Sequence, residues 1–142
     1  LTSVFYFSYW LFGLEWYERG YPVIIDIFNE SEYINTVLIT ISFIPLIITG
    51  ISFVSIFVFK NRKLQMKLTQ LGFRLSLVMS LFTIFYFYNC LSYLKELMPS
   101  KFLELLMYAA IVNPFLCCYL LFLALKYIKR DNELINSLDR IR

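Results

Sequence analysis

The sequence predicts an all-α protein: a transmembrane four-helix bundle with a short amphipathic C-terminal helix. Three observations lead there. Apolar residues make up 60% of the 142 and charged residues only 16%, against roughly 45–50% and about 25% in ordinary soluble domains. A soluble domain of this size buries only about 70% of its extended-chain surface, so it could not hide this much apolar area. Finally, three long stretches carry no charge, and the charges between them sort into an acidic and a basic side. The same composition excludes a disordered chain.

The elements follow in order. A bilayer core of about 30 Å takes about 20 apolar helical residues. Ile34 to Phe59 is a charge-free run of 26 residues, Leu75 to Leu94 one of 20 and Leu105 to Leu125 one of 21. Each is predicted to cross the bilayer, the 26-residue run with some tilt. Leu1 to Leu14 is apolar and aromatic but reaches only about 21 Å as a helix. It reads as the distal part of a first span that begins before Leu1. Tyr6, Tyr9, Trp10, Trp16 and Tyr17 then form an aromatic belt where that helix leaves the lipid. Residues 15–33 make an outer loop, in which Tyr21 to Phe28 (YPVIIDIF) reads as a short extended segment against the membrane. The whole chain, 1–142, is one integral membrane domain.

Charge placement orients the set. Glu15, Glu18, Asp26, Glu30 and Glu32 stand against Arg19 alone in the first connection. Residues 60–74 hold Lys60, Arg62, Lys63, Lys67 and Arg74 with no acid. The third connection, 95–104, is balanced, and the tail 126–142 is again basic overall. The positive-inside rule then puts the 60–74 connection and both termini in the cytoplasm. In the tail, Asp131 is a candidate helix cap, and Leu134, Leu138 and Ile141 recur at helical spacing. That pattern fits an amphipathic surface helix or, alternatively, a docking face for a partner's cytoplasmic side.

Polar residues inside the spans need a reason. Ser42, Pro45, Thr49 and Ser52, beside Gly50, make a small polar face on the second span. Thr69, Gly72, Ser76, Ser80 and Thr83 do the same on the third. Small faces let backbones approach, so the second span is expected to pack on the third, with Gly50, Gly72, Ser76 and Ser80 at the contact. The alternative is a polar path through the bundle. Pro114 should kink the fourth span, with Asn113 bonding either the freed carbonyls or another helix. Pro45 does the same more weakly. Arg74 reads as a snorkelling anchor at the cytoplasmic edge, or as a contact to a headgroup or partner. Lys60, Arg62, Lys63, Lys67, Lys129 and Arg130 share those two readings.

Several chemistries lack material. There is no histidine, hence neither the commonest metal ligand nor the usual general base. Cys90, Cys117 and Cys118 form no CxxC pair and read as small buried hydrophobes. No span carries an aspartate or histidine in its core for proteolysis or lipid chemistry. No cofactor, metal site or catalytic residue is expected, and no nucleic-acid partner, because the net charge of +3 flanks hydrophobic segments.

Two stretches carry a resemblance: KNRKLQ (Lys60 to Gln65), directly after a span, and LALKYIKRDNELINSLDRIR (Leu123 to Arg142), closing the chain. With the span order, they resemble a family of small uncharacterised four-span inner-membrane proteins of Bacteroidota, a domain-of-unknown-function family. The resemblance implies an inner-membrane location and four helices, and no activity. The functional expectation is an accessory or structural subunit of a larger membrane complex, its partners lipid and other membrane subunits. Aromatics such as Phe82, Phe85, Tyr86, Phe87 and Tyr88 would supply contact area to either. A small-solute transporter or channel component is the second expectation, and a membrane-embedded enzyme the third.

Overall fold

The computed structural model describes residues 1–27, 32–96 and 101–139, without the side chains of 14–17, 32 and 136–139. The side chains of the expected belt residues Trp16 and Tyr17 and of the tail residue Leu138, and Ile141 as a whole, lie outside what is described. Among the described residues there are four helices: α1 (Thr2–Ile27), α2 (Glu32–Phe57), α3 (Arg62–Glu96) and α4 (Lys101–Asp139). Among the described residues there is no strand.

The helices run up and down in sequence. Pairs along the α3–α4 seam, Arg62 with Asp131, Gly72 with Leu121 and Phe73 with Phe122, set an antiparallel register. Ser55 with Thr69 and Ile51 with Gly72 do the same for α2 and α3. On the diagonal, Tyr6 meets Ser76 and Gly20 meets Cys90, both seventy positions apart, so α1 and α3 are parallel. α1 and α3 touch across the centre, and α1 also closes against α4. α1 and α3 each therefore touch all three other helices.

Three boundaries differ from the sequence expectation. α1 runs on through residues 15–27, so Tyr21 to Ile27 is helix, with Pro22 inside it, rather than an extended segment. The β-branched run favours strand locally, but Ile24, only 2% exposed, anchors it as a helix in the core. The 60–74 connection shrinks to a four-residue turn, 58–61. Asn61 sets the start of α3, its side-chain oxygen accepting from the Leu64 N–H at 3.2 Å as an N-cap does. Lastly, α4 continues unbroken to Asp139, so there is no separate tail helix. Asp131 sits in mid-helix and caps nothing; its carboxylate faces Arg62 instead.

The interior mixes apolar side chains such as Tyr86, Ile48 and Met79 with small hydroxyl residues, while many large apolar side chains face outward. Ser76 and Thr83 are fully buried, whereas Phe12 is 72% and Leu81 68% exposed. Water would select the reverse; a hydrocarbon solvent permits close packing on small residues with large side chains outward. α2, α3 and α4 are each long and apolar enough to cross a membrane.

Candidate functional site

The inward face of α3 carries a polar seam. Thr69, Gly72, Ser76, Ser80 and Thr83 are all buried, as their spacing of three and four residues requires on a 3.6-residue helix. The Tyr6 hydroxyl and Ser76 Oγ share a hydrogen bond of 2.6 Å across the α1–α3 contact. Ser55 and Thr69 share another of 3.0 Å between α2 and α3. Thr69, Ser80 and Thr83 also bond carbonyls one turn back on their own helix, as hydroxyls in apolar surroundings commonly do. Ser52 Oγ on α2 is buried with no hydrogen-bond partner among the described residues. It lines a cavity of about 200 Å³ that Ser55, Gln65 and Thr69 also border.

A second knot ties α4 to α1. Pro114 is buried, and as an imide it leaves a carbonyl one turn earlier without its helical donor. Asn113 reaches across, Nδ2 donating to the Phe5 carbonyl at 3.2 Å. Its Oδ1 accepts from the Cys117 thiol at 3.1 Å. Of the two sequence alternatives for Asn113, the interhelical one is present. Cys90 and Cys117 are both buried, and the Cys90 thiol donates toward the Gly20 carbonyl at 3.5 Å.

The predicted packing residues divide. Gly72 faces Ile51 of α2 and Leu121 of α4 at ordinary contact distance. Ser76 bonds across to Tyr6 of α1. Gly50 is exposed, with open space where a Cβ would lie, so it makes no helix contact here. It stands about 140° around α2 from the buried Pro45, on the far face. The glycine at a true close approach is Gly20, where an added Cβ would overlap the Tyr86 hydroxyl. Gly20 lies amid charged residues, outside any apolar periodicity, and sequence reasoning had no signal for it.

Aromatic positions also sort differently. Tyr6 and Tyr9 are buried core residues rather than belt residues, and so are Tyr86 and Phe87, whereas Phe85 and Tyr88 face outward. A tyrosine buried in a bundle needs a hydroxyl partner, which Ser76 gives Tyr6.

Most of the described basic residues gather at one end, where α2 turns into α3 and α4 leaves the bundle, while Arg19, Lys95 and Lys101 lie at the other. Lys60, Lys63, Lys67, Arg74, Lys129 and Arg130 are all exposed. Arg62 pairs with Asp131 at 3.8 Å. The α3–α4 register places Lys67 level with Lys126 and Arg74 level with Tyr119. Arg74 thus stands beside the charge-free part of α4, about 10 Å along α3 from Lys67. The charge-free run Leu75 to Leu94 is offset from those of α2 and α4 once the helices are in register. Lys126, absent from the predicted site residues, shares the α4 face of Phe115, Tyr119 and Phe122.

The described residues hold no group of three or more cysteine, aspartate or glutamate side chains placed to bind a metal. Neither a curated protein nor a solved structure matches the chain. The profile of the family described as "Domain of unknown function (DUF4293)" matches residues 5–141, nearly the full length, and the protein is a member of that family.

Proposed function

We propose that the protein crosses a bacterial inner membrane four times, with both termini in the cytoplasm, and serves there as a non-catalytic accessory or structural subunit of a larger complex. The observation that carries this reading is a cleft on the apolar exterior between α1 and α4. It has a volume of about 380 Å³, with the small residues Ser8, Gly13, Ala109 and Ala110 set among Phe12, Leu103 and Leu106. Small side chains at such a surface permit the close backbone approach by which helices associate in lipid, where no hydrophobic driving force favours one apolar face over another. The seam inside the bundle spends its hydroxyls on packing contacts, which fits a structural role. Four spans are supported by α1, whose apolar first half lies parallel to α3 at the same level through the Tyr6–Ser76 contact.

Extraction in mild detergent followed by affinity purification tests this reading. A stoichiometric membrane partner is expected, lost on Ala109→Phe at the exposed wall of the cleft. A clean monomer on native mass spectrometry overturns it. Reporter fusions at the termini test the orientation, and an external C-terminus would refute it.

A second reading, a component of a small-solute pathway, has one specific observation in its favour: Ser52 Oγ in the cavity bordered by Gln65 and Thr69. Flux in proteoliposomes that Ser52→Val abolishes would support it, and the absence of any flux would dismiss it.

A further inference from the structure

A groove of about 490 Å³ runs down the outer surface where α3 meets α4. Its walls are Phe73, Leu77 and Leu81 on α3 and Phe115, Tyr119 and Phe122 on α4. From Phe73 to Ile84, the deepest of its α3 residues, the groove extends for about 16 Å at the helical rise. In a bilayer such a furrow is filled by hydrocarbon, so the question is which hydrocarbon.

The mouth of the groove answers it. Lys67, Gln70 and Arg74 follow one another on α3 at i, i+3 and i+7, all exposed, and the same face continues through Leu77 and Leu81 into the groove wall. On α4 the groove face Phe115, Tyr119, Phe122 continues at i+11 to Lys126, also exposed. Helical Cα–Cβ bonds tilt toward the helix N-terminus. α3 starts at the basic end and α4 finishes there, so Arg74 leans out toward Lys67 while Lys126 leans in toward the groove. Their side chains converge from opposite levels. The nearest acid at that end, Asp131, is engaged by Arg62, and among the described residues Arg74 pairs with no carboxylate.

We propose that this groove and its mouth form a binding site for an anionic glycerophospholipid of the leaflet at the basic end. One acyl chain lies between Phe73 and Phe122 and down past Leu81. The headgroup phosphate is held by Arg74, Lys67 and Lys126, with the Gln70 amide as a neutral donor. Arginine and lysine together satisfy the geometry and the charge of a phosphate. A phosphate drawn inward also relieves the cost of an arginine lying about 10 Å inside the level of Lys67. The site rests on the membrane placement proposed above and not on the accessory-subunit role. Membrane placement has its own test, resistance to carbonate extraction, so the two can fail separately.

The experiment is native mass spectrometry of the full chain in mild detergent, with equal amounts of phosphatidylglycerol and phosphatidylcholine added. Wild type should retain phosphatidylglycerol in preference. The triple variant K67Q/R74Q/K126Q should lose on the order of 100-fold in retention, as about 1 kcal/mol for each basic side chain near an anionic headgroup implies. The variant K60Q/K129Q/R130Q removes as much charge from the same end and should retain the lipid as wild type does. Equal losses in the two variants would overturn the site in favour of diffuse attraction; so would equal retention of the two lipids by wild type. Should the first variant lose its helical circular dichroism, wild type decides alone: retention must fall as salt rises, and salt-independent retention overturns the proposal.

Discussion

The two faces of α3 use polar residues in opposite ways. Inward, Thr69, Ser76, Ser80 and Thr83 are short, buried and hydrogen-bonded within a turn or across to a neighbour. Outward, Lys67, Gln70 and Arg74 are long and exposed, and among the described residues they make no hydrogen bond or ion pair with another helix. A hydroxyl can satisfy itself on its own backbone and still let a second helix approach. A guanidinium cannot, and must find water, a carboxylate or a phosphate. The same helix thus builds the bundle with one face and meets its surroundings with the other.

The inward face should be intolerant of volume. Gly20→Val drives its side chain into the Tyr86 hydroxyl, and Tyr86 is fully buried with no room to retreat. A loss of about 3 kcal/mol is expected, read as a fall in thermal unfolding temperature in detergent. Gly50→Val, on open surface, should stay within about 0.5 kcal/mol of wild type. Equal sensitivity of the two glycines would mean that Gly50 faces a neighbour.

Those two glycines also mark what could be read from the chain. The periodic stripe on α3 was legible because small residues every third or fourth position stand out against Phe and Leu, and its burial follows. Gly50 sits next to a similar stripe on α2 but about 80° or more around the helix from each of its members, and adjacency in sequence is not adjacency on a helix. Gly20 had no pattern to betray it. The helix limits were less legible than the helices. A charge-free run marks what lipid tolerates, whereas a helix ends where its backbone bonds end: α3 begins at Asn61's cap, more than three turns before the run Leu75 to Leu94. The level of Arg74 follows from register between helices, which no single segment carries.

The next effect tests the hydrogen bonds of the seam. Tyr6→Phe removes the 2.6 Å bond to Ser76 while keeping the ring in the core. Such bonds in helical membrane proteins contribute about 1 kcal/mol or somewhat less. A double-mutant cycle with Ser76→Ala should return a coupling of about that size. Zero coupling would show that Ser76 does equally well bonded to its own helix, which would make the seam a matter of size alone. Asn113→Ala, which frees the Phe5 carbonyl and leaves the Cys117 thiol without its acceptor, should cost about 0.6 kcal/mol.

The smallest effect expected is at Arg62, the one charged residue that continues the inward face of α3 beyond the seam. It is also a residue of α3 with an ion-pair partner, Asp131 at 3.8 Å, at side-chain exposures of 39% and 63%. Solvent screens a pair so open, and about 0.3 kcal/mol is the expected coupling between Arg62→Gln and Asp131→Asn. Its value lies in sign and salt dependence rather than size. A coupling that vanishes at high salt means that α4 stays docked on α3 past the level of Lys67 and Lys126, with electrostatics contributing. No coupling at low salt would mean that the last turns of α4 are held without Asp131. The contrast between the faces would then end at Thr69, where the buried seam itself ends.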